Sequence, residues 1–155
     1  MKTIRKIFTT VLLVLTILVP AAAVAAPSFT EVDLDTDGRW GVVYDGRTYD
    51  PVLNQTTFSY TVTVYDDPAL SHFTVGFPLC DNISVVTYEP LDAVSIGLDP
   101  TTGVYGIKWD GGLDTGLTET YSVTLQGNIA EGTIEVAVKA GQFAALGERP
   151  GPACD

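Results

Sequence analysis

The sequence predicts an all-β protein, an antiparallel β-sandwich of about eight or nine strands. Several segments alternate apolar and polar residues with a period of two, and turn-forming residues separate them at short intervals. After the first 25 residues, no stretch of ten or more keeps the apolar period of 3.6 that an amphipathic helix needs. Regularly spaced strands without crossover helices favour an immunoglobulin-like sandwich, with a jelly roll as the alternative.

The clearest strands are predicted at residues 57–65, 120–126 and 133–139. In the first of them Phe58, Tyr60 and Val62 would face the core, while the threonines and serine between them would face water. Shorter or less regular strands are predicted at 29–32, 40–44, 71–77, 83–88, 94–98 and 104–109.

Turn-forming residues fall between these segments, as in Asp66-Asp67-Pro68 and Asp110-Gly111-Gly112. Residues 140–146 are predicted to form one or two helical turns at most. The segment from Leu146 to the C-terminus is rich in glycine and proline, and we expect it to fray unless it is held in place.

The N-terminal residues have the three-part layout of a secretory signal peptide. A basic stretch is followed by the apolar run of residues 11–19, then by Pro20 and the small residues AAAVAA. The apolar run is shorter than the roughly 20 residues that span a bilayer. We predict a signal peptide at 1–25, cleavage after Ala25, and a single domain at 26–155 in a secreted protein, extracellular or periplasmic. A retained N-terminal anchor is the alternative.

The charge of the chain excludes some partners. The formal net charge is −11, and the leader holds three of the eight basic residues and none of the 19 acidic ones. The remainder, with five basic residues against 19 acidic ones, therefore carries −14. Binding nucleic acid by neutralising phosphates needs a basic surface, so this function is not expected. Attachment to anionic lipid, and membrane insertion after the leader is removed, are not expected either.

Cys80 and Cys154 are the only cysteines. In an exported protein they are predicted to pair, which would staple the C-terminal segment to the middle of the domain. Free thiols or a bridge to another chain are the alternatives.

The sharpest local motif is the acidic loop of residues 33–38, where Asp33, Asp35 and Asp37 alternate and Gly38 follows. Alternating carboxylates before a glycine form the first half of a calcium loop. An EF-hand would need Glu at position 12, where Tyr44 stands, so a different calcium site, completed by Asp45 or Asp50, is one interpretation. A solvated acidic turn is the other.

Catalytic and sugar-binding residues give weaker signals. His72 is the only histidine, its neighbour Ser71 would point to the opposite face of a strand, and no nucleophile elbow or phosphate loop is present.

Trp40 follows the acidic loop and, if exposed, could stack on a ligand, whereas Trp109 is predicted to lie in the core. Asn54 and Asn82 lie in glycosylation sequons, which matter only in a host that glycosylates them.

Five segments of the C-terminal part carry a resemblance. They are residues 73–80 (FTVGFPLC), 99–109 (DPTTGVYGIKW), 121–127 (YSVTLQG), 132–141 (GTIEVAVKAG) and 151–154 (GPAC). Together they resemble an exported bacterial β-sandwich domain of surface-associated proteins, over about residues 57–155. The resemblance implies a secreted sandwich with the bridge between Cys80 and Cys154, and it carries no catalytic residues.

Three functions are therefore expected in order. The first is a non-enzymatic secreted protein for surface or matrix association through an unknown protein or glycan partner. The second is a calcium-assisted module that binds carbohydrate or another ligand. A small secreted hydrolase is the third.

Overall fold

The computed structural model describes residues 30–78 and 83–154. Within them, ten strands and one helical turn follow one another along the chain. In order these are β1 (Thr30–Asp33), α1 (Leu34–Asp37), β2 (Trp40–Asp50), β3 (Gln55–Val64), β4 (His72–Gly76), β5 (Val85–Glu89), β6 (Val94–Leu98), β7 (Tyr105–Trp109), β8 (Thr118–Gln126), β9 (Glu131–Ala140) and β10 (Phe143–Pro152).

The strands form two sheets, which confirms the predicted all-β sandwich. One sheet has six strands in the order β1-β10-β9-β4-β7-β6, and the other has four in the order β2-β3-β8-β5. All pairs are antiparallel except β1 with β10, which is parallel, so the expectation of a wholly antiparallel sheet was wrong at this edge.

The predicted alternation of apolar and polar residues determines which side chains of a strand lie in the core. In β3 the side chains of Phe58, Tyr60 and Val62 are fully buried, while the residues between them are half-buried on the outer face. On that outer face the hydroxyls of β3 meet those of β8 across the strand pair, as Thr57 meets Thr124 at 2.8 Å. A strand that alternates in this way must bury its apolar face, and the six-stranded sheet provides the covering surface.

Aromatic side chains fill the space between the sheets. Phe73 of β4 lies 5.9 Å from Trp109 of β7 and 5.1 Å from Tyr121 of β8, measured between ring centroids. Trp109 is 1% exposed, which confirms that it belongs to the core. Phe73 thus contacts Trp109 within its own sheet and Tyr121 across the two sheets, and such contacts stabilise the short strands β4 and β7.

The C-terminal segment differs from the prediction. Residues 140–146 form no helical turn, because β9 and β10 make a hairpin with ten residue pairs, from Phe143↔Ala140 to Pro152↔Glu131. β1 pairs with β10 only as far as Leu146, so Pro150 and Pro152 lie where β10 has one neighbour strand. Proline is tolerated at such an edge because no second strand needs its missing N–H.

No helix in the described part of the chain is long and apolar enough to cross a membrane.

Candidate functional site

The sandwich has four strands that border only one neighbour among the described residues, namely β1 and β6 in one sheet and β2 and β5 in the other. Unpaired N–H and C=O groups on such strands can pair with another chain, and proteins usually block them with charges, prolines or bulges. These four strands therefore differ in how open they are to a partner.

Three of the four edges carry such a block. β1 contains Glu31 and Asp33. β2 contains Asp45 and Arg47 and has a register shift between Tyr44 and Gly46. β5 ends at the acidic Glu89, and its pairing with β8 shifts register between Val85 and Thr87.

β6 has none of these blocks. Its sequence, VSIGL, contains no charged residue and no proline, and its pairing with β7 runs from Val94↔Trp109 to Leu98↔Tyr105 without a register shift. β6 is therefore the strand best suited to accept an additional strand.

The hydrogen bonds at the two ends of β6 show which backbone groups point outward. The Asp99 amide donates to the Val104 carbonyl at 2.8 Å, and the Asp110 amide donates to the Ala93 carbonyl at 2.8 Å. In an antiparallel pair, bonded and non-bonded residues alternate, so Ser95 and Gly97 also bond to β7. The N–H and C=O groups of Val94, Ile96 and Leu98 consequently face the free edge.

The same residues carry an exposed apolar strip. Val94, Ile96 and Leu98 pair with Trp109, Ile107 and Tyr105, so they lie on the core-facing side of the six-stranded sheet. The four-stranded sheet is narrower, and Ile96 is 52% exposed and Leu98 64% exposed. Val86, Leu91 and Tyr105, from β5, the following loop and β7, are also exposed. We call Val94, Ile96, Leu98 and Tyr105 the edge strip.

The opposite side of β6 is small and polar. Ser95 and Gly97 border a pocket of about 210 Å³, which Pro100 and Lys108 also line. A partner strand could therefore approach β6 without meeting a large side chain of β6 itself on this side.

A buried polar cluster lies on the outer side of the six-stranded sheet and holds the turn after β6. His72 Nε2 lies 2.9 Å from Asp99 Oδ2, and Thr102 Oγ1 donates to the same oxygen at 2.7 Å. The Thr101 amide donates to Asp99 Oδ1 at 3.0 Å. These hydrogen bonds connect the β6–β7 turn to His72 of β4, and they are shielded from water because Asp99 is only 2% exposed.

The pKa values in this cluster both shift downward. Burial lowers the pKa of His72 from 6.5, although the Asp99 carboxylate acts in the opposite direction. Burial would raise the pKa of Asp99, but hydrogen bonds from Thr102 and the Thr101 amide, with the contribution of His72, bring it below 3.8. An ionised carboxylate beside a neutral imidazole is the state that this arrangement favours.

The cluster lacks the arrangement of a nucleophilic enzyme. His72 Nδ1 faces Asp110 Oδ1 at 3.8 Å, so each ring nitrogen of His72 is next to a carboxylate. The adjacent Ser71 hydroxyl donates to the Lys139 carbonyl at 2.7 Å. A catalytic triad needs a nucleophile at the ring nitrogen opposite the acid, and the contacts of His72 place a second acid there instead.

In the acidic loop each aspartate already has a partner. Asp33 caps α1 by accepting the Asp35 amide at 2.8 Å. Asp35 pairs with Arg149 of β10 at 2.5 Å, and Asp37 pairs with Arg39 at 2.5 Å. Hydrogen bonds from these arginines lower the pKa values of Asp35 and Asp37.

The other carboxylates proposed for calcium lie apart from this loop. Asp45 accepts the Thr61 hydroxyl at 2.8 Å, and Asp50 accepts the amides of Val52 and Leu53. Within residues 30–78 and 83–154, no group of three or more His, Cys, Asp or Glu side chains is arranged to hold a metal ion.

Trp40 lies in the core and not at the surface. It is 2% exposed, its Nε1 donates to the Pro68 carbonyl at 3.1 Å, and its ring lies 6.3 Å from that of Phe143. The Arg39 guanidinium lies over both rings, 4.5 Å and 4.0 Å from their centroids. Trp40 therefore presents no open face on which a sugar could stack.

The predicted modification sites lie partly outside the described residues. Cys154 is described and is not a free thiol. Cys80 lies outside, so the pairing of the two stays a prediction. Asn54 lies exposed in the turn between β2 and β3, and Asn82 lies outside the described part.

Sequence reasoning placed a strand at 94–98 but did not identify it as a candidate site. No local signal distinguishes this strand, because residues 93–98 are uncharged but so are the longer runs 51–65 and 120–130, which contain most of the interior strands β3 and β8. That β6 forms an edge follows only from the strand order, which local sequence does not encode.

Comparisons with known proteins add no relative: no family model matches the chain, and no curated protein matches it significantly.

Proposed function

We propose that this protein is a secreted, non-enzymatic β-sandwich that associates with another polypeptide at the cell surface or in an extracellular matrix. The partner is recruited by adding a strand to β6. The observation that carries this proposal is the contrast between β6, with its outward-facing backbone groups and exposed edge strip, and the three blocked edges.

The buried cluster supports the non-enzymatic part of the proposal. His72 is 7% exposed and its ring nitrogens face Asp99 and Asp110, which suits a structural role for this imidazole. Asp99 uses its oxygens to hold the turn that follows β6, so the cluster supports the geometry of the open edge.

The strand order supports an immunoglobulin-like sandwich over a jelly roll. The order β2-β3-β8-β5 corresponds to the A-B-E-D sheet of that fold. The order β10-β9-β4 corresponds to its G-F-C sheet, with β7 and β6 added beyond it.

The contacts of the acidic loop argue against calcium-assisted ligand binding as the main function. A calcium ion would have to displace Arg149 from Asp35 and Arg39 from Asp37. The aromatic side chain expected beside the loop, Trp40, is buried.

Secretion and the bridge have a direct test of their own. Mass spectrometry of the protein collected from the medium or periplasm should give a chain that starts at Ala26. That chain should be lighter by two hydrogen atoms than the same chain after reduction, because Cys80 and Cys154 are joined. A chain that retains Met1, or that reacts with a thiol reagent when unfolded, would contradict this part.

Association through β6 is tested with two matched lysine variants. Ile96 in β6 and Leu117 in the turn before β8 are both 52% exposed. A lysine at position 96 puts a charge on the open edge, whereas a lysine at position 117 adds the same charge elsewhere. In the cells that make the protein, we expect Ile96→Lys to move it from the surface fraction to the medium and Leu117→Lys to leave it in place.

Equal surface retention of wild type, Ile96→Lys and Leu117→Lys would overturn the proposal, because the edge would then have no part in association. Circular dichroism melting of the purified variants establishes that both lysines leave the fold intact.

A further inference from the structure

We infer that the strand added to β6 is β6 of a second copy of this chain, paired antiparallel about a two-fold axis through Ile96. The inference rests on the proposed function and names its partner, a second copy of the chain that is itself held at the surface or in the matrix. It follows from three properties of the edge: its backbone groups, its side chains and its charges.

Under this symmetry the outward-facing N–H groups of one copy meet the outward-facing C=O groups of the other. Val94, Ile96 and Leu98 each present one N–H and one C=O to the free edge, because Ser95 and Gly97 bond to β7. With Ile96 on the axis, Ile96 meets Ile96 of the second copy, and Val94 meets Leu98 of the second copy. Three donors on each copy then make six backbone hydrogen bonds, and none of these groups is left unpaired.

The side chains also match themselves. On the core-facing side, the pairing places Val94 against Leu98 of the second copy and the two Ile96 side chains against each other. Ile96 and Leu98, which are 52% and 64% exposed, would then be covered by apolar partners. On the other side Ser95 meets Gly97 of the second copy, where no large side chain prevents close approach.

The charges explain why this edge, in such an acidic chain, can meet its own copy. The chain carries a net charge of −11, so most of its surfaces repel a second copy. The paired strands, Val94–Leu98 of each copy, contain no charged residue, so no two acids face each other within the strand pair. Beyond the end of β6, the Asp99 carboxylate is buried against His72.

Other strands of this chain fit the edge less well. β1, β2 and β5 each carry at least one acidic residue, and two of them have an irregular register. Pairing β6 with any of them would bring a charge or a bulge to the new strand pair, which β6 with itself avoids.

Sedimentation velocity of the purified protein tests the inference. The sample is diluted in about 0.5 M NaCl, where long-range repulsion between the acidic copies is screened. We expect a reversible monomer–dimer equilibrium whose mass rises with concentration. For Ile96→Lys the dissociation constant should rise at least about tenfold, because two ammonium groups would meet on the axis. Leu117→Lys, with the same added charge, should change it less than about twofold.

A second edge variant guards against a folding defect at position 96. Leu98→Lys should weaken the dimer as Ile96→Lys does, and the melting temperature of each variant shows that the monomer is folded. A protein that stays monomeric throughout the concentration range, or a dimer that Ile96→Lys leaves unchanged, would overturn the inference.

The failure of this inference can be told apart from failure of the proposed function. If the wild type is monomeric but Ile96→Lys still releases the protein from the cell surface, the partner is a different polypeptide and only the inference falls. If Ile96→Lys leaves surface association unchanged, the proposed function falls whatever the oligomeric state.

Discussion

Replacing Asp99 with alanine should be among the most damaging single substitutions of a polar residue in this protein. The Asp99 carboxylate is 2% exposed and accepts hydrogen bonds from His72, Thr102 and the Thr101 amide, with Thr74 Oγ1 at 3.4 Å. In Asp99→Ala these groups lose their shared acceptor, and the turn after β6 loses its attachment to β4.

The structure sets the expected size of the effect. Thr101 and Thr102 are partly exposed and can bind water instead, whereas His72 and Thr74 are buried and cannot. Each buried polar group left without a partner costs about 1–3 kcal/mol. Two such groups, His72 and Thr74, lose their acceptor, so we expect the free energy of unfolding to fall by about 2–6 kcal/mol, a large part of the 5–15 kcal/mol typical of a domain.

Urea denaturation followed by tryptophan fluorescence measures this loss, since Trp40 and Trp109 are buried and report on the core. Asp92→Ala is the control because Asp92 is exposed in the loop before β6, and it should change the free energy by less than about 0.5 kcal/mol. Equal effects of the two substitutions would refute the view that the carboxylate of Asp99 anchors this turn.

The pH dependence of stability adds a second measurement. Because the pKa of folded Asp99 is below 3.8, its contribution is complete above pH 3.8 and is lost as the pH falls through the lower folded value. The pKa of folded His72 is below 6.5, so stability also falls as the pH drops from 6.5 towards that lower value. The difference in free energy of unfolding between wild type and Asp99→Ala should therefore become smaller as the pH falls below 3.8.

Three further predictions concern other parts of the molecule. Gly106→Ala should lower the free energy of unfolding, measured by urea denaturation, by about 1–3 kcal/mol, because the added Cβ would lie 1.9 Å from a backbone oxygen of β4. Gly111→Ala, with no atom within 4 Å, should be nearly neutral. Millimolar Ca²⁺ should leave the melting temperature unchanged, since arginines already pair with Asp35 and its neighbour in the acidic loop. If Cys80 and Cys154 are joined as predicted, reducing that bridge should lower the free energy of unfolding in urea denaturation by up to about 4 kcal/mol.

Each of these has an opposing outcome. Similar stability of the two alanine variants would mean that β4 and β7 do not approach as closely as described. A calcium-dependent rise in melting temperature that Asp35→Ala abolishes would restore the calcium interpretation of the acidic loop. If reductant leaves the unfolding curve of the oxidised protein unchanged, the bridge contributes nothing to stability.

The local sequence predicted most strands because alternation records which face of a strand is buried. The threonines of β3 are separated by Phe58, Tyr60 and Val62, and this pattern alone placed the strand within two residues of its observed ends. β10 was missed because Gly147, Pro150 and Gly151 conceal its strand character, and only its ten residue pairs with β9 explain it.

The candidate sites show the same division between local and long-range information. Sequence spacing identified the acidic loop but not Arg149, which lies 114 residues after Asp35 and is brought to it by β10. Likewise, nothing near Trp40 in the sequence indicates that Phe143 covers its ring. The openness of β6 depends on strand order and on the width of the opposite sheet, and neither is visible in residues 94–98.

Hydrogen exchange of the backbone amides of β6 tests directly whether this edge accepts a strand, because it reports on each residue of the edge separately. In dilute protein, the amides of Ser95 and Gly97 should exchange slowly and those of Val94, Ile96 and Leu98 quickly. As the partner strand binds at high protein concentration, we expect the amides of Val94, Ile96 and Leu98 to gain protection while those of Ser95 and Gly97 stay protected. If the copies associate while the amides of Val94, Ile96 and Leu98 exchange as fast as before, the added strand does not pair with β6.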